Sequence, residues 1–367
     1  MPAQILHTLF GEDVIAELPS THPWRSLTRA YRTVFALGCQ GPDIFYHSQK
    51  TRPVALEYGA LLHRRGFGDF TAALFKKTLD IDLLGKIDKI AEKQFFPQGP
   101  LLAYTIGFMT HAALDRCAHP YIVYKSTMLA ASEGFARMFP NGASHAFFER
   151  ILDVLMLALL RGRSVATWDQ GALAKVCAEP PRGLKELLMY TLIHAFPKRA
   201  GRDQQLSQRI DNAFQDCAYF YGLTDPRKTS RQYPPLEGAL PLQDRWLCYL
   251  YPEHVPLSMD YLNLRQAPWY YPAQSHKEDS RSFPELYRAA VKTEGAAIGV
   301  RISRYLETGI VSEPEISRNI GNGGLSIQDE TGRPCLPTWV GTLPLDLVLE
   351  QQRSWRWALH EARFPDI

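Results

Sequence analysis

The sequence predicts an all-α protein, a multi-helix bundle around a metal cluster with an irregular proline- and aromatic-rich C-terminal segment. Three observations predict it. Apolar residues recur at helical spacing, bracketed by start and stop signals, through the first two-thirds of the chain. No convincing alternating strand interrupts them, which argues against a parallel sheet. And His111, Asp115 and His119 stand four residues apart in a stretch otherwise built of Ala, Leu, Arg and Cys. On a helix, positions i, i+4 and i+8 share one face, so two imidazoles and a carboxylate project in a row. Those are zinc-ligand types at zinc-ligand spacing.

The elements follow in order. Trp24 to Leu37 has helical periodicity and stops at Gly38. Pro53 to Arg65 opens with Pro and closes at Gly66, the usual asymmetry of a helix start and end. Shorter helices are expected over Asp69 to Leu79 and Leu83 to Lys93. Leu101 to Ala118 is long and mostly apolar, and Pro120 is expected to end it. Ser144 to Arg161 follows, with Ser144 as N-cap. Gly183 to Ala195 and Gln204 to Tyr221 continue the pattern. Nine prolines then fall between Pro226 and Pro284, among Trp246, Tyr249, Tyr251, Trp269, Tyr270 and Tyr271. A stretch of that kind is expected to drape over the body as a cover. Pro284 to Thr308 reads as helix, and so does Leu345 to His360. The expected organisation is a helical metal-binding core over residues 1–224, a cover and return helix over 225–310, and a C-terminal extension over 311–367.

Bulk properties narrow the function classes. A net charge of +3 gives no electrostatic argument for a stable nucleic-acid partner or an anionic membrane. The longest apolar run, Val154 to Leu160, is far too short to cross a bilayer. Six scattered cysteines without a Cys-x-x-Cys pair read as free thiols of a reducing compartment. The first residues lack a basic segment followed by an apolar core, so a cytoplasmic location is expected.

The chemistry concentrates in the first 150 residues. His145 and Glu149 form a second i, i+4 pair. Upstream stand His7, the turn Gly41-Pro42-Asp43, and His63. Five imidazoles and three carboxylates exceed what one zinc takes and suit two or three Zn2+ ions. Asp69 reads as an N-cap rather than a ligand. His22, His194, His254, His276 and His360 read as ordinary core or surface residues. Trp269 and Tyr270 are candidates to cover the metal cleft and receive substrate.

In order and spacing, the His7 region, Gly41-Pro42-Asp43, His63, His111-x3-Asp115 with His119-Pro120, and His145-x3-Glu149 resemble the zinc-dependent phospholipase C family. Its wider relatives include the single-strand-specific zinc nucleases. The resemblance implies an all-helical, phospholipase C-like bundle with three metals. It implies that Asp43, His63, His111 and Asp115 hold one zinc, that Asp115 bridges to a second shared with His7, and that His119, His145 and Glu149 hold a third. Asp43 would orient or deprotonate the attacking water. The implied function is phosphoester hydrolysis, with a metal-activated water acting on a phosphodiester, a phospholipid being the candidate substrate. A nuclease or nucleotidase on the same frame, and a non-catalytic helical protein with structural zinc, are the rivals. Two departures from the family pattern bear on the site. Secreted members chelate with a mature N-terminal Trp, whereas this chain reads Met1-Pro2. The His7 side would then need the amine of Pro2, or His47 as a stand-in. The Asp115-to-His119 spacing is also tighter than in the secreted enzymes, which predicts a shifted third site.

Overall fold

The computed structural model describes residues 4–80, 99–129, 138–139, 143–229, 247–308 and 312–363. It is built from helices: α1 (Gln4–Ala16), α2 (Pro23–Ala30), α3 (Arg32–Cys39), α4 (Asp43–Tyr46), α5 (Leu56–Arg64), α6 (Phe67–Asp80), α7 (Gly99–Ser126), α8 (Ala143–Arg161), α9 (Gln170–Ala178), α10 (Leu184–Ala195), α11 (Leu206–Leu223), α12 (Pro226–Thr229), α13 (Phe283–Thr308), α14 (Glu313–Ile320) and α15 (Leu345–Arg363). One antiparallel hairpin, β1 (Trp269–Tyr271) with β2 (Gln274–Asp279), makes up the sheet content among the described residues. No described helix is long and apolar enough to cross a membrane.

Helix α7 is the axis. It is buried almost all round, as a central helix must be. Its closest neighbour is α3. A Cβ at Gly38 would lie 2.1 Å from the Tyr104 carbonyl oxygen, and one at Gly107 would lie 2.4 Å from that of Phe35. Two glycines therefore let the α3 and α7 backbones touch. This contact carries the turn after α3, and Asp43 with it, toward the middle of α7. Helices α1, α6, α8 and α13 pack round the same axis. One hydrophobic core runs from Leu6 to Leu349, so the C-terminal third buries its apolar residues with the first.

Several element boundaries differ from the sequence expectation. The Trp24 to Leu37 helix is two helices, broken at Tyr31, whose φ of −115° and ψ of 40° are not helical. The helix expected from Pro53 begins at Leu56. Upstream of it, Arg209 and Asn212 of α11 claim the carbonyls of Val54 and Pro53. Helix α7 does not end at Pro120 but continues to Ser126. A proline costs one hydrogen bond and a clash, about 3 kcal/mol. Burial of Tyr121, Ile122, Val123 and Tyr124 beyond it offsets that cost. Ser144 is the second residue of α8 rather than its cap. Helix α1, helix α9 and the hairpin were not anticipated. The helix expected over Leu83 to Lys93 lies outside the described residues.

Candidate metal centre

The row on α7 is interior. His111 is 0% and Asp115 3% exposed. A carboxylate so placed costs several kcal/mol unless it is partnered. Asp115 meets its partners on both sides. Its Oδ1 lies 3.2 Å from His7 Nε2, and its Oδ2 lies 3.1 Å from His111 Nε2, 3.6 Å from His63 Nε2 and 3.7 Å from His119 Nδ1. His7, on the second turn of α1, stacks on His111 with ring centroids 4.2 Å apart.

Asp43 opens α4 directly after the turn at Gly41, whose φ is +55°. A Cβ there would sit 2.4 Å from His111 Cγ, so the turn can approach α7 only with glycine. The Asp43 carboxylate then faces His63 Nε2 at 3.0 Å through Oδ1 and His111 Nε2 at 3.8 Å through Oδ2. His63 comes from the last turn of α5. A third cluster forms where α7 meets α8: Glu149 Oε1 lies 3.0 Å from His145 Nε2 and 3.5 Å from His119 Nε2.

Three groups of ligand atoms result, each with its members within 4.8 Å of one another: His7, His111 and Asp115; Asp43, His63 and His111; and His119, His145 and Glu149. His111 belongs to two of them, and Asp115 reaches toward all three.

Three of the five imidazoles are anchored in the same way. Nδ1 of His63 contacts the Gly59 carbonyl at 2.8 Å, Nδ1 of His111 the Cys39 carbonyl at 3.2 Å, and Nδ1 of His119 the Leu325 carbonyl at 3.0 Å. A carbonyl only accepts, so each Nδ1 donates its proton and turns Nε2 toward the cluster, where it offers a lone pair once the ring is neutral. Metal-ligating histidines are commonly fixed in this way. Meanwhile Asp43 Oδ2, Asp115 Oδ2, His111 Nε2, His7 Nδ1 and Glu149 Oε2 are buried without a hydrogen-bond partner. Buried polar atoms are rarely left so. Orphaned carboxylate oxygens beside oriented imidazole nitrogens fit a borderline cation such as zinc.

Electrostatics agrees with the geometry. Burial pushes the Asp115 carboxyl up, but His111 and His119 together hold it well below the usual carboxylate range. Asp43 is likewise lowered against its burial, by His111 and His63. Burial also raises Glu149, and His145 and His119 overcome it. His119 is disfavoured as a cation by burial, yet Asp115 and Glu149 raise it to about 9. In His145 burial wins over Glu149, and the pKa falls. The carboxylates are ionised, as ligands must be.

All eight candidates from the sequence are thus brought together, and the tight Asp115-to-His119 spacing leaves the third group intact. Other expectations need correction. His47 does not stand in on the His7 side. It is buried against Phe220 and Tyr221, with ring centroids 4.4 and 5.2 Å away, and joins none of the three groups. Burial lowers its pKa to about 3. Pro2 lies outside the described residues. Asp69 is inside the first turn of α6, not its cap, and accepts from Ser317 and Asn322. Trp269 covers no cleft: it is 3% exposed, its Nε1 donates to the Arg281 carbonyl, and its ring meets Tyr121 edge-on. Tyr270 packs beside Tyr124 and Trp339. Among the described residues, two aromatic rings do reach the centre: Phe67, stacked on His111 with ring centroids 6.1 Å apart, and Tyr46, 4.7 Å from the His63 ring and raised in pKa by burial and by Asp43 and Asp115. The only signal of Tyr46 in the sequence is its place three residues after Asp43.

The family model described as zinc dependent phospholipase C matches residues 6–192, slightly more than half of the chain, and the chain belongs to that family. No curated protein and no solved structure matches. The matched segment takes in the eight helices from α1 to α8, which build or flank the centre, and runs on through α9 into α10, ending before α11.

Proposed function

We propose that this member of the zinc-dependent phospholipase C family is a phosphodiester hydrolase that works with two or three zinc ions. The observation that carries the proposal is the fusion of three ligand groups through His111 and Asp115. Structural zinc sites are closed by four protein ligands of their own, whereas each group here offers three residues and shares His111 or the reach of Asp115 with its neighbours. That disfavours the reading in which zinc only ties helices together.

Zinc, when bound, supplies Lewis acidity, neutralises charge on a phosphoryl oxygen and lowers the pKa of water. The chain's own residues do the rest. Asp43 keeps Oδ1 on His63 and leaves Oδ2 as a free acceptor, ionised because its neighbours lower its pKa. It therefore orients an attacking water by accepting a hydrogen bond, more than it removes the proton outright. Tyr46 lines the same cluster beside His63 and is placed to contact a bound substrate. A phospholipid headgroup or a small phosphodiester fits this reading better than a long nucleic acid, since the chain has a net charge of only +3.

The test is a screen of chromogenic phosphodiesters and monoesters, and of a phosphatidylcholine vesicle, with and without a chelator. Chelator-sensitive cleavage of a diester supports the proposal. Cleavage unaffected by chelator, or a preference for monoesters, rejects it.

A further inference from the structure

The carbonyl that orients His119 comes from Leu325, far beyond the segment that the family model matches. Leu325 does more. Its N–H donates to the carbonyl of His63 at 2.9 Å, so one residue contacts two ligand candidates of different groups. It belongs to a strap, Ser317–Leu325, which joins the last turn of α14 to the residues after it and lies against α6, α7 and the end of α5.

The strap is fixed by an unusual set of bonds. Arg116, the residue after Asp115, donates to four of its carbonyls: Ile320, Gly321 at 3.0 Å, Gly323 at 3.2 Å and Gly324 at 3.3 Å. The fork of a guanidinium suits a ring of acceptors, and a cation suits the C-terminal end of α14. Asn322 adds three more. Its carbonyl accepts from Gly66 N at 3.1 Å, its Oδ1 accepts from Asp69 N at 2.9 Å, and its Nδ2 donates to Asp69 at 2.9 Å. The approach depends on Gly68, where a Cβ would stand 2.5 Å from the Ser317 carbonyl and 2.9 Å from that of Gly321. Gln328 closes the far end by donating to Gly324 O and to Tyr271. At least seven of its nine residues are thus bonded to α7, to the end of α5 or to the start of α6.

We infer that the strap Ser317–Leu325, held by Arg116 and Gly68, is the positioning element of the His119/His145/Glu149 group and sets its affinity for zinc. The inference rests on the metal-centre reading above. The Leu325 carbonyl fixes His119 with the proton on Nδ1 and Nε2 toward Glu149. Lifting the strap frees that ring to rotate or to change tautomer, while His63 and His111 keep the carbonyls of Gly59 and Cys39 on their Nδ1 atoms.

Two variants lift the strap by different means. Arg116→Ala removes the four carbonyl bonds, and Gly68→Ala pushes against Ser317. Neither residue is a ligand candidate. Zinc affinity is measured by competition with a chelating dye, on protein whose far-UV circular dichroism matches the wild type. The expected result is that one zinc per chain binds about tenfold to a hundredfold more weakly in both variants, with the others unchanged. Arg116→Lys, a point charge without the fork, recovers only part of that loss. A readout independent of metal is the His119 Nδ1–H resonance in zinc-free protein, which exchanges faster in both variants. Should Arg116→Ala fail to fold, Gly68→Ala supplies the same measurement. Unchanged affinities and unchanged Nδ1–H exchange overturn the inference alone. A wild-type chain that takes up no zinc overturns the metal reading and the inference with it.

Discussion

At the scale of single residues, the account turns on Asp115. It is buried, ionised and surrounded by four imidazoles within 3.7 Å. Asp115→Asn keeps the shape and removes the charge. It is expected to lower bound zinc by at least one ion per chain and diester hydrolysis by on the order of a hundredfold or more, as read by metal analysis and initial rates. Retention of full zinc would count against a bridging role. His119 gives a second residue-level prediction. Its pKa of about 9 means that it carries a proton at pH 7 in the metal-free protein. Zinc uptake must displace that proton, because only neutral imidazole binds a metal. Titration with zinc in a weakly buffered solution at pH 7 should release about one proton per chain from this group, and His119→Gln should abolish that release. The shared face of His111, Asp115 and His119 is legible in the sequence, since i, i+4 and i+8 on a helix translate directly into one face, whereas Asp43, His63 and His7 enter through the family resemblance. The groups that orient the ligands are not legible there. The carbonyls of Gly59, Cys39 and Leu325 have no side-chain signature, and Tyr46 closes the four-residue α4, which is set by packing on α5 and on the distant α11.

At the scale of elements, the legible helices were those with local start and stop signals, such as α10 and α13. Those held by distant partners were missed or misjudged. Helix α1 is the clearest case. Its first N–H groups, on Ile5 and Leu6, donate at 3.1 and 2.8 Å to the carboxylate of Asp153 on α8. An N-cap supplied from so far along the chain cannot be read from the local sequence. Pro120 misled in the opposite sense, because burial of the turn beyond it outweighs a local breaker. Asp153 also yields a pH prediction. Burial raises its pKa from 3.8 to about 7, over the opposing effects of Arg150 and the two backbone donors. The folded state therefore holds a proton on Asp153 that the unfolded chain has already lost. The corresponding stability is fully present below pH about 4 and is lost as pH rises through about 7. Urea unfolding of wild type and Asp153→Asn across this window should show the difference between them growing with pH in favour of the Asn variant. A constant difference would contradict the assigned titration.

At the scale of the whole molecule, the centre is where the bundle is sewn together. Its candidate ligands come from α1, α4, α5, α7 and α8, and the strap after α14 closes over two of them. A metal that binds only the folded arrangement stabilises it by mass action. Stripping zinc should therefore lower the Tm by several degrees, with recovery when zinc is restored; an unchanged Tm would mean that the clusters fold without needing a cation. The C-terminal third, where the sequence carried only a compositional expectation of a cover, contributes core, strap and the Tyr251 contact with Arg150 and Asp153. Composition can signal that such a segment is unusual, but not which carbonyl will meet which ring. The most direct test of the central claim is to strip the protein with a chelator, titrate zinc back, and follow hydrolysis of a chromogenic phosphodiester against zinc bound per chain. A zinc-dependent diesterase shows no rate once stripped, and its rate rises to a plateau at two or three ions per chain. Hydrolysis by the stripped protein, or none at full loading, would contradict the claim.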